Sequence, residues 1–254
     1  MRNESAQNQS GTAFITGAAY GIGAAAALAL ARDGCDLVLA DLSVEMLAET
    51  AAKVRELGRR AVPIRLDLRN QDSIESAVAT ALGSFERLDV LVNNAGVPLR
   101  KAALDVTRAD WMQVMDVNLG GSFFMSQAVG RHWIENGQSG AIVSVASTHG
   151  LLGVPGSSTY GISKAGVAHM TRMLAIEWAP HKIRVNAIAP ASTETPTRTG
   201  LSDPARREEL LSRFPLRRFG KPEDMAEAIA YLASPRAEFI TGQVLVLDGG
   251  LTVQ

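Results

Sequence analysis

Tyr160 and Lys164, four residues apart, are the pair whose types and spacing most directly suggest chemistry in this chain. On a helix that interval puts both side chains on one face, a turn apart. A phenol is a poor acid near neutral pH, with a free pKa near 10. A neighbouring ammonium changes this, because unit charges about 4 Å apart interact by roughly 4 kcal/mol at an effective dielectric of 20. At about 1.4 kcal/mol per pKa unit, the phenol falls by up to about three units before desolvation opposes the shift. Tyr160 then qualifies as a general acid/base. An interfacial tyrosine beside a surface lysine would show the same spacing, so the rest of the chain must decide.

A second chemical signal lies near the start. Thr16-Gly17-Ala18-Ala19-Tyr20-Gly21-Ile22-Gly23 follows an apolar β-rich run and opens an alanine-rich helical one. Glycines there allow a tight turn and let backbone approach a pyrophosphate at a helix N-terminus. The spacing is G-x-x-x-G-x-G, and no Gly-Lys-Ser/Thr follows, which excludes a P-loop. Asp41 ends the next strand, 18 residues beyond Gly23. A carboxylate there accepts hydrogen bonds from ribose hydroxyls and repels a 2′-phosphate. Tyr20, Leu42 and Ser43 supply no cation, so the reading is NAD rather than NADP.

The elements that must position these groups alternate along the whole chain. Strands are expected at 12–16, 36–41, 61–66, 88–93, 141–147, 184–189 and 244–247. Helices are expected at 23–32, 44–57, 73–85, 110–135, 159–178 and 223–233. Several strands are continuous apolar runs, as when helices cover both sheet faces. Repeated strand–helix–strand order implies right-handed crossovers. The fold class is therefore α/β: a single-domain, Rossmann-type, doubly wound parallel sheet of about seven strands with helices on both faces. One domain spans 1–254, with a flexible N-terminus at 1–10 and an irregular 190–220 loop expected to act as a substrate lid. Within it, Glu208–Phe214 reads as a short helix offering Leu210, Leu211 and Phe214 to a pocket.

Composition narrows the classes further. Net charge is −1 with no basic stripe, which argues against nucleic acid. A single cysteine, Cys35, excludes an internal disulfide framework. No secretory signal or membrane span is evident, so a cytoplasmic location is expected. His132, His149, His169 and His181 lack metal-ligand spacing, so no metal is expected. His149 stands out, two residues past Ser147, as a candidate substrate contact. Trp111, Met112 and Met115 read as core or subunit interface.

Jointly these motifs resemble the short-chain dehydrogenase/reductase family, over nearly the whole chain and in order. Thr16–Gly23 is similar to its cofactor glycine motif, Asn93-Asn94-Ala95-Gly96 to its motif after the fourth strand, and Tyr160-x-x-x-Lys164 to its active-site signature. Asp248-Gly249-Gly250 is similar to its C-terminal signature. The resemblance implies that Tyr160 is the proton donor and acceptor, while Lys164 tunes it and binds the nicotinamide ribose. It also implies that Ser147 orients the substrate oxygen, with Ser144 a rival disfavoured by spacing, and that Asn118 holds a water-linked relay to Lys164. Asp67 and Leu68 would bracket the adenine; Asn94, Ala95 and Gly96 would floor the ribose. Pro190, Thr193 and Thr195 would meet the nicotinamide side, although Ala191 and Thr193 depart from the family's pattern. Expected partners are a small alcohol or ketone and further copies of the chain, a homotetramer before a dimer. The leading function is NAD-dependent oxidation of a secondary alcohol, polyol or sugar. Alternatives are a 3-oxoacyl-(acyl-carrier-protein) reductase, disfavoured by Asp41 and Ile176, and a non-catalytic dinucleotide sensor.

Overall fold

The structure, a computed structural model, describes residues 11–195 and 204–253. The expected flexible N-terminus and part of the expected lid lie outside those residues. Seven parallel strands form one sheet in the order β3-β2-β1-β4-β5-β6-β7. They are β1 (Thr12–Thr16), β2 (Asp36–Asp41), β3 (Ala61–Arg65), β4 (Val90–Asn93), β5 (Gly140–Val145), β6 (Ile183–Pro190) and β7 (Val244–Leu247). The helices are α1 (Gly21–Arg32), α2 (Ala48–Glu56), α3 (Gln71–Ser84), α4 (Arg108–Met115), α5 (Ser122–Glu135), α6 (Ser158–Trp178), α7 (Pro204–Ser212) and α8 (Pro222–Ala233).

Alternation along β1 shows why both faces need cover. Ala13 and Ile15 join a core with α1, α2 and α8, whereas Phe14 joins a second core with α3, α5 and α6. All five β1 residues are buried, and Ala13-Phe14-Ile15 reads as a continuous apolar run between two threonines. The chain leaves β1 for β2 and β3 on one side, then returns to β4 on the other. Loops leaving β1 and β4 diverge at that switch point and open a crevice at the strands' carboxyl ends.

Several expectations need correcting. The helix expected over 110–135 is broken: α4 gives way to a π-helical turn at Asp116–Gly121 before α5. Gly121 lies so close to Leu68 that a Cβ would stand 2.6 Å from the Leu68 Cβ, which explains the small residue in this widened turn. The lid helix runs Pro204–Ser212 rather than Glu208–Phe214, because proline favours a first helical turn. Boundaries of β3 to β6 shift by one or two residues; β5 stops at Val145 and leaves Ser147 beyond the sheet. The segment expected at 44–57 opens as a 3-10 turn, Glu45–Leu47, before α2. Trp111 and Met112, read as core or subunit interface, are exposed, which removes the core alternative. Cys35 is buried, and loss of hydration pushes its thiol up to about 11.

Candidate active site

Tyr160 and Lys164 lie on the first turns of α6, facing the residues just past β5. Lys164 is buried; its Nζ donates to the Val145 carbonyl at 2.7 Å and stands 5.9 Å from the Tyr160 ring centroid. Burial pushes its ammonium down to about 8. Ser147 caps the turn Thr148–Gly150, its hydroxyl accepting from the His149 N–H at 3.2 Å. The His149 ring packs edge-on against Tyr160, 5.7 Å between centroids, and its Nδ1 meets the Ser157 hydroxyl at 2.9 Å. Tyr160, Ser147, His149 and Lys164 therefore converge from two adjoining segments. Ser144, by contrast, stays fully buried in β5, within 3.4 Å of the Asn93 amide, away from the cleft.

Asn118 is also fully buried and does not line the cleft. Its Oδ1 accepts from the Val97 N–H at 2.8 Å, and its Nδ2 donates to the Val97 carbonyl at 3.1 Å and the Ser163 hydroxyl at 3.0 Å. The Ser163 hydroxyl donates in turn to the Tyr160 carbonyl at 2.7 Å. Asn118 thus ties the strand-β4 loop to the Tyr160 helix. The point where a Gly96 Cβ would stand is 3.2 Å from Asn118 Oδ1 and 3.3 Å from Lys164 Nζ, so any larger residue there would fill the gap between them.

The other half of the cleft is made mostly of backbone. Gly17 and Gly21 have positive φ, +67° and +61°, which an L side chain adopts only with strain. A Cβ on Gly23 would meet the Gly17 carbonyl at 2.1 Å and Asn94 Nδ2 at 2.5 Å. Gly23 does not line the cleft; it lets α1 pack against the turn. Asn94 Nδ2 donates to the Thr16 and Gly17 carbonyls at 3.0 and 2.9 Å, and the Thr16 hydroxyl accepts the Asn94 and Ala95 N–H groups. Asp41 accepts from the Ala19 and Leu42 N–H groups at 3.2 and 2.8 Å. Thr195 reaches over the glycine turn, its Cγ2 3.3 Å from a Gly21 Cβ position.

Together these residues bound one cleft of about 950 Å³ running across the switch point. Comparison with known proteins accounts for this arrangement. Residues 17–252 match the family model described as enoyl-(acyl carrier protein) reductase. A 3-oxoacyl-(acyl-carrier-protein) reductase FabG of Thermotoga maritima is 42% identical over 240 residues, 94% of this chain and 97% of that protein. A 2-dehydro-3-deoxy-D-gluconate 5-dehydrogenase of Escherichia coli is 40% identical over 94% of each. A short-chain type dehydrogenase/reductase of Mycobacterium marinum superposes with TM-score 0.92 at 34% identity, covering 97% of this chain and 98% of that one. The chain belongs to the short-chain dehydrogenase/reductase family. It is an oxidoreductase of that family, acting on CH–OH groups. A further member, from Agrobacterium tumefaciens and holding NADP, superposes with TM-score 0.91 at 34% identity over 99% of this chain and 100% of that one.

Family membership implies a nicotinamide dinucleotide, and the residues present fit one. The evidence is the positive-φ glycine turn, the gap at Gly96 that a Cβ would fill, and Asp41 pinned at the cleft by two backbone donors. Of the residues singled out in the sequence, Gly17, Tyr20, Gly21, Ile22, Asp41, Leu42, Asp67, Leu68, Asn94, Ala95, Gly96, Pro190, Thr193 and Thr195 line this short-chain dehydrogenase cleft. Asn118 and Gly23 stand behind it. Thr193 turns its hydroxyl to the Ala191 carbonyl at 3.2 Å, and a bridge to Gly220 holds its backbone. Sequence reading missed Arg69, which holds Asp67 through Nε and Nη2 at 3.0 and 2.7 Å. That guanidinium keeps the Asp67 carboxyl below the usual range. It also missed Arg100 and Ser157, which carry no local signature. Among the described residues, no cluster of three His, Cys, Asp or Glu side chains could hold a metal ion.

Proposed function

We propose that the protein is an NAD(H)-dependent dehydrogenase of secondary alcohols, with a polyol, sugar or related hydroxy compound as substrate and Tyr160 as general acid/base. The observation that carries this reading is the convergence of Tyr160, Lys164 and Ser147 on the cleft beyond the switch point, next to the end of β5. A bound nicotinamide would accept or supply hydride there. Tyr160 holds and moves the proton of the substrate oxygen, while the Ser147 hydroxyl orients that oxygen. Lys164 steadies the phenolate and holds the ribose. Asn118 locks the loop that separates it from Lys164, at a gap that one water can bridge toward solvent. NAD is favoured because the Asp41 carboxylate, held at the cleft by two backbone N–H groups, would repel a 2′-phosphate. A screen of purified protein with NAD and a panel of polyols, sugars and hydroxy acids, read at the NADH band, tests the activity. No turnover with any of them, at either cofactor, would sink it.

The runner-up is a 3-oxoacyl-(acyl-carrier-protein) reductase, supported by the resemblance to the Thermotoga protein. Against it stand Asp41 and Ile176, a 75% exposed apolar side chain where such reductases tend to carry arginine. A non-catalytic sensor would have no use for the Tyr160–Lys164–Ser147 set. For assembly we favour a homotetramer, with a dimer second, in the cytoplasm. The α5–α6 face exposes Phe123, Phe124 and Met173, an apolar surface suited to a second copy. Light scattering of wild type and of Met173→Asp tests this. The loop after β6 is read as a lid, because Leu210 and Phe214 line the cleft whereas Leu211 does not.

A further inference from the structure

Charge is divided along the cleft at the switch point. Of its two lining carboxylates among the described residues, Asp41 ends β2 and Asp67 follows β3, both on the nucleotide side. Beyond β1 and β4 the lining carries Arg100, Lys164, Arg213 and His149, and no acidic residue. Arg213 is partly offset by Glu209 at 3.2 Å. Arg100 makes no ion pair among the described residues, and it is exposed at the cleft wall. Its place is nonetheless fixed. The backbone of Lys101 donates to the Gly156 carbonyl at 2.8 Å, and Arg100 Cγ lies 3.9 Å from a Gly156 Cβ position. Ser157, next in sequence, bonds His149, which packs on Tyr160. A guanidinium thus stands on the wall continuous with the proton-transferring residue.

A neutral polyol would gain little from that arrangement. A guanidinium left beside a bound substrate with no carboxylate to share it favours an anion, and a planar fork fits a carboxylate. We propose that the substrate is a hydroxy acid whose carboxylate is read by Arg100, with Arg213 adding a second positive charge. This rests on the dehydrogenase reading above and narrows it. Arg100 is then a specificity residue: it holds the acid end while Tyr160 acts at the carbinol end.

The test uses acids beside neutral isosteres: D-gluconate with D-gluconamide and D-glucitol, and 3-hydroxybutanoate with its amide. Binding to the enzyme–NADH complex is followed by cofactor fluorescence, and turnover is followed separately. The expected result is an acid bound about tenfold or more tightly than its amide. That preference should shrink with added NaCl, since Arg100 is exposed. Arg100→Gln should raise KM for the acid about tenfold with kcat and the amide little changed, and Arg100→Lys should restore part of the loss. Amides binding as well as acids, no acid binding at all, or a preference that survives Arg100→Gln would overturn the inference. A neutral 3-oxoacyl N-acetylcysteamine thioester preferred over every acid would overturn it too. An acid preference in binding without any hydride transfer would uphold the anion site and sink the dehydrogenase reading. Turnover of neutral alcohols alone would do the reverse.

Discussion

The two halves of the cleft are built from different materials. On the nucleotide side the chemistry is mostly main chain: glycines at positive φ, and an asparagine and a threonine spending their side chains on backbone. On the substrate side the walls are side chains on loops, with Arg100 and Leu152 exposed. Main-chain geometry is the same whatever the substrate, so it suits an invariant cofactor. Side chains on loops change without disturbing the sheet, so they suit a choice among substrates. Lys164 sits where the halves meet, buried and beside Tyr160.

Loss of the proton path should be the largest effect, because it removes chemistry and leaves both walls in place. Tyr160→Phe is expected to lower turnover by at least about 10²-fold, the lower end of general acid–base contributions. NADH affinity should stay close to wild type. Retention of more than a few per cent of the rate would break the assignment.

Next comes a direct contrast between the halves. Gly23→Ala places a methyl 2.1 Å from the Gly17 carbonyl, so the turn must shift. Overpacking of this kind costs about 1–3 kcal/mol. A lower melting temperature and a weakened cofactor complex are expected together. Leu152→Ala, on the exposed wall opposite, should change stability by no more than about 0.5 kcal/mol while altering substrate KM. Equal thermal losses in the two variants would erase the distinction.

At the junction the effect is one of pH. The Lys164 ammonium titrates at about 8 in the folded chain against 10.5 for the free group. Between those values the unfolded chain binds more protons, so folding stability rises with pH across that window. Below about pH 8 both states are protonated, and the burial penalty is carried in full. At about 1.4 kcal/mol per pKa unit the gain is on the order of 3 kcal/mol by the top of the window. Urea midpoints of wild type and Lys164→Met, measured without cofactor from pH 7 to 10, should separate above pH 8 in favour of wild type. Parallel curves would show that this lysine keeps its ordinary pKa.

The same contrast explains what the sequence could show. Tyr160 and Lys164 were legible because a helix fixes their relation locally, and Asp41 because it ends an apolar strand before a turn. The sheet was legible from alternating apolar runs. Three things were not. The π turn that carries Asn118 answers to Leu68, a residue from a different strand connection. The Asp67–Arg69 pair claims a carboxylate otherwise read as free for adenine. Arg100 gains its place only from the Lys101–Gly156 contact, which joins segments after β4 and β5. The first and the last depend on distant parts of the chain packing together, which periodicity does not encode; the second is a contact across two residues, set by the conformation of the turn after β3.

The smallest predicted effect concerns cofactor choice, and it tests whether the backbone half is as unchanging as its construction suggests. Asp41 accepts two N–H groups, which hold its carboxylate at the cleft rim, where a 2′-phosphate would bring further negative charge. Arg69, the cation lining this side of the cleft among the described residues, is committed to Asp67 by a bidentate contact. Repulsion without a competing cation should favour NAD over NADP by about tenfold in kcat/KM, roughly 1.4 kcal/mol. Asp41→Ala should narrow that ratio, chiefly by relieving NADP, and at some cost to NAD through the lost ribose contact. Asp67→Ala offers the sharper variant, since it would release Arg69. If Arg69 can reach the phosphate once freed, the double variant Asp41→Ala/Asp67→Ala should favour NADP more than Asp41→Ala does. Both cofactors measured with one working substrate decide it: equal efficiencies in wild type would mean that Asp41 does not select. An unchanged ratio in the double variant would leave Arg69 a partner of Asp67 alone.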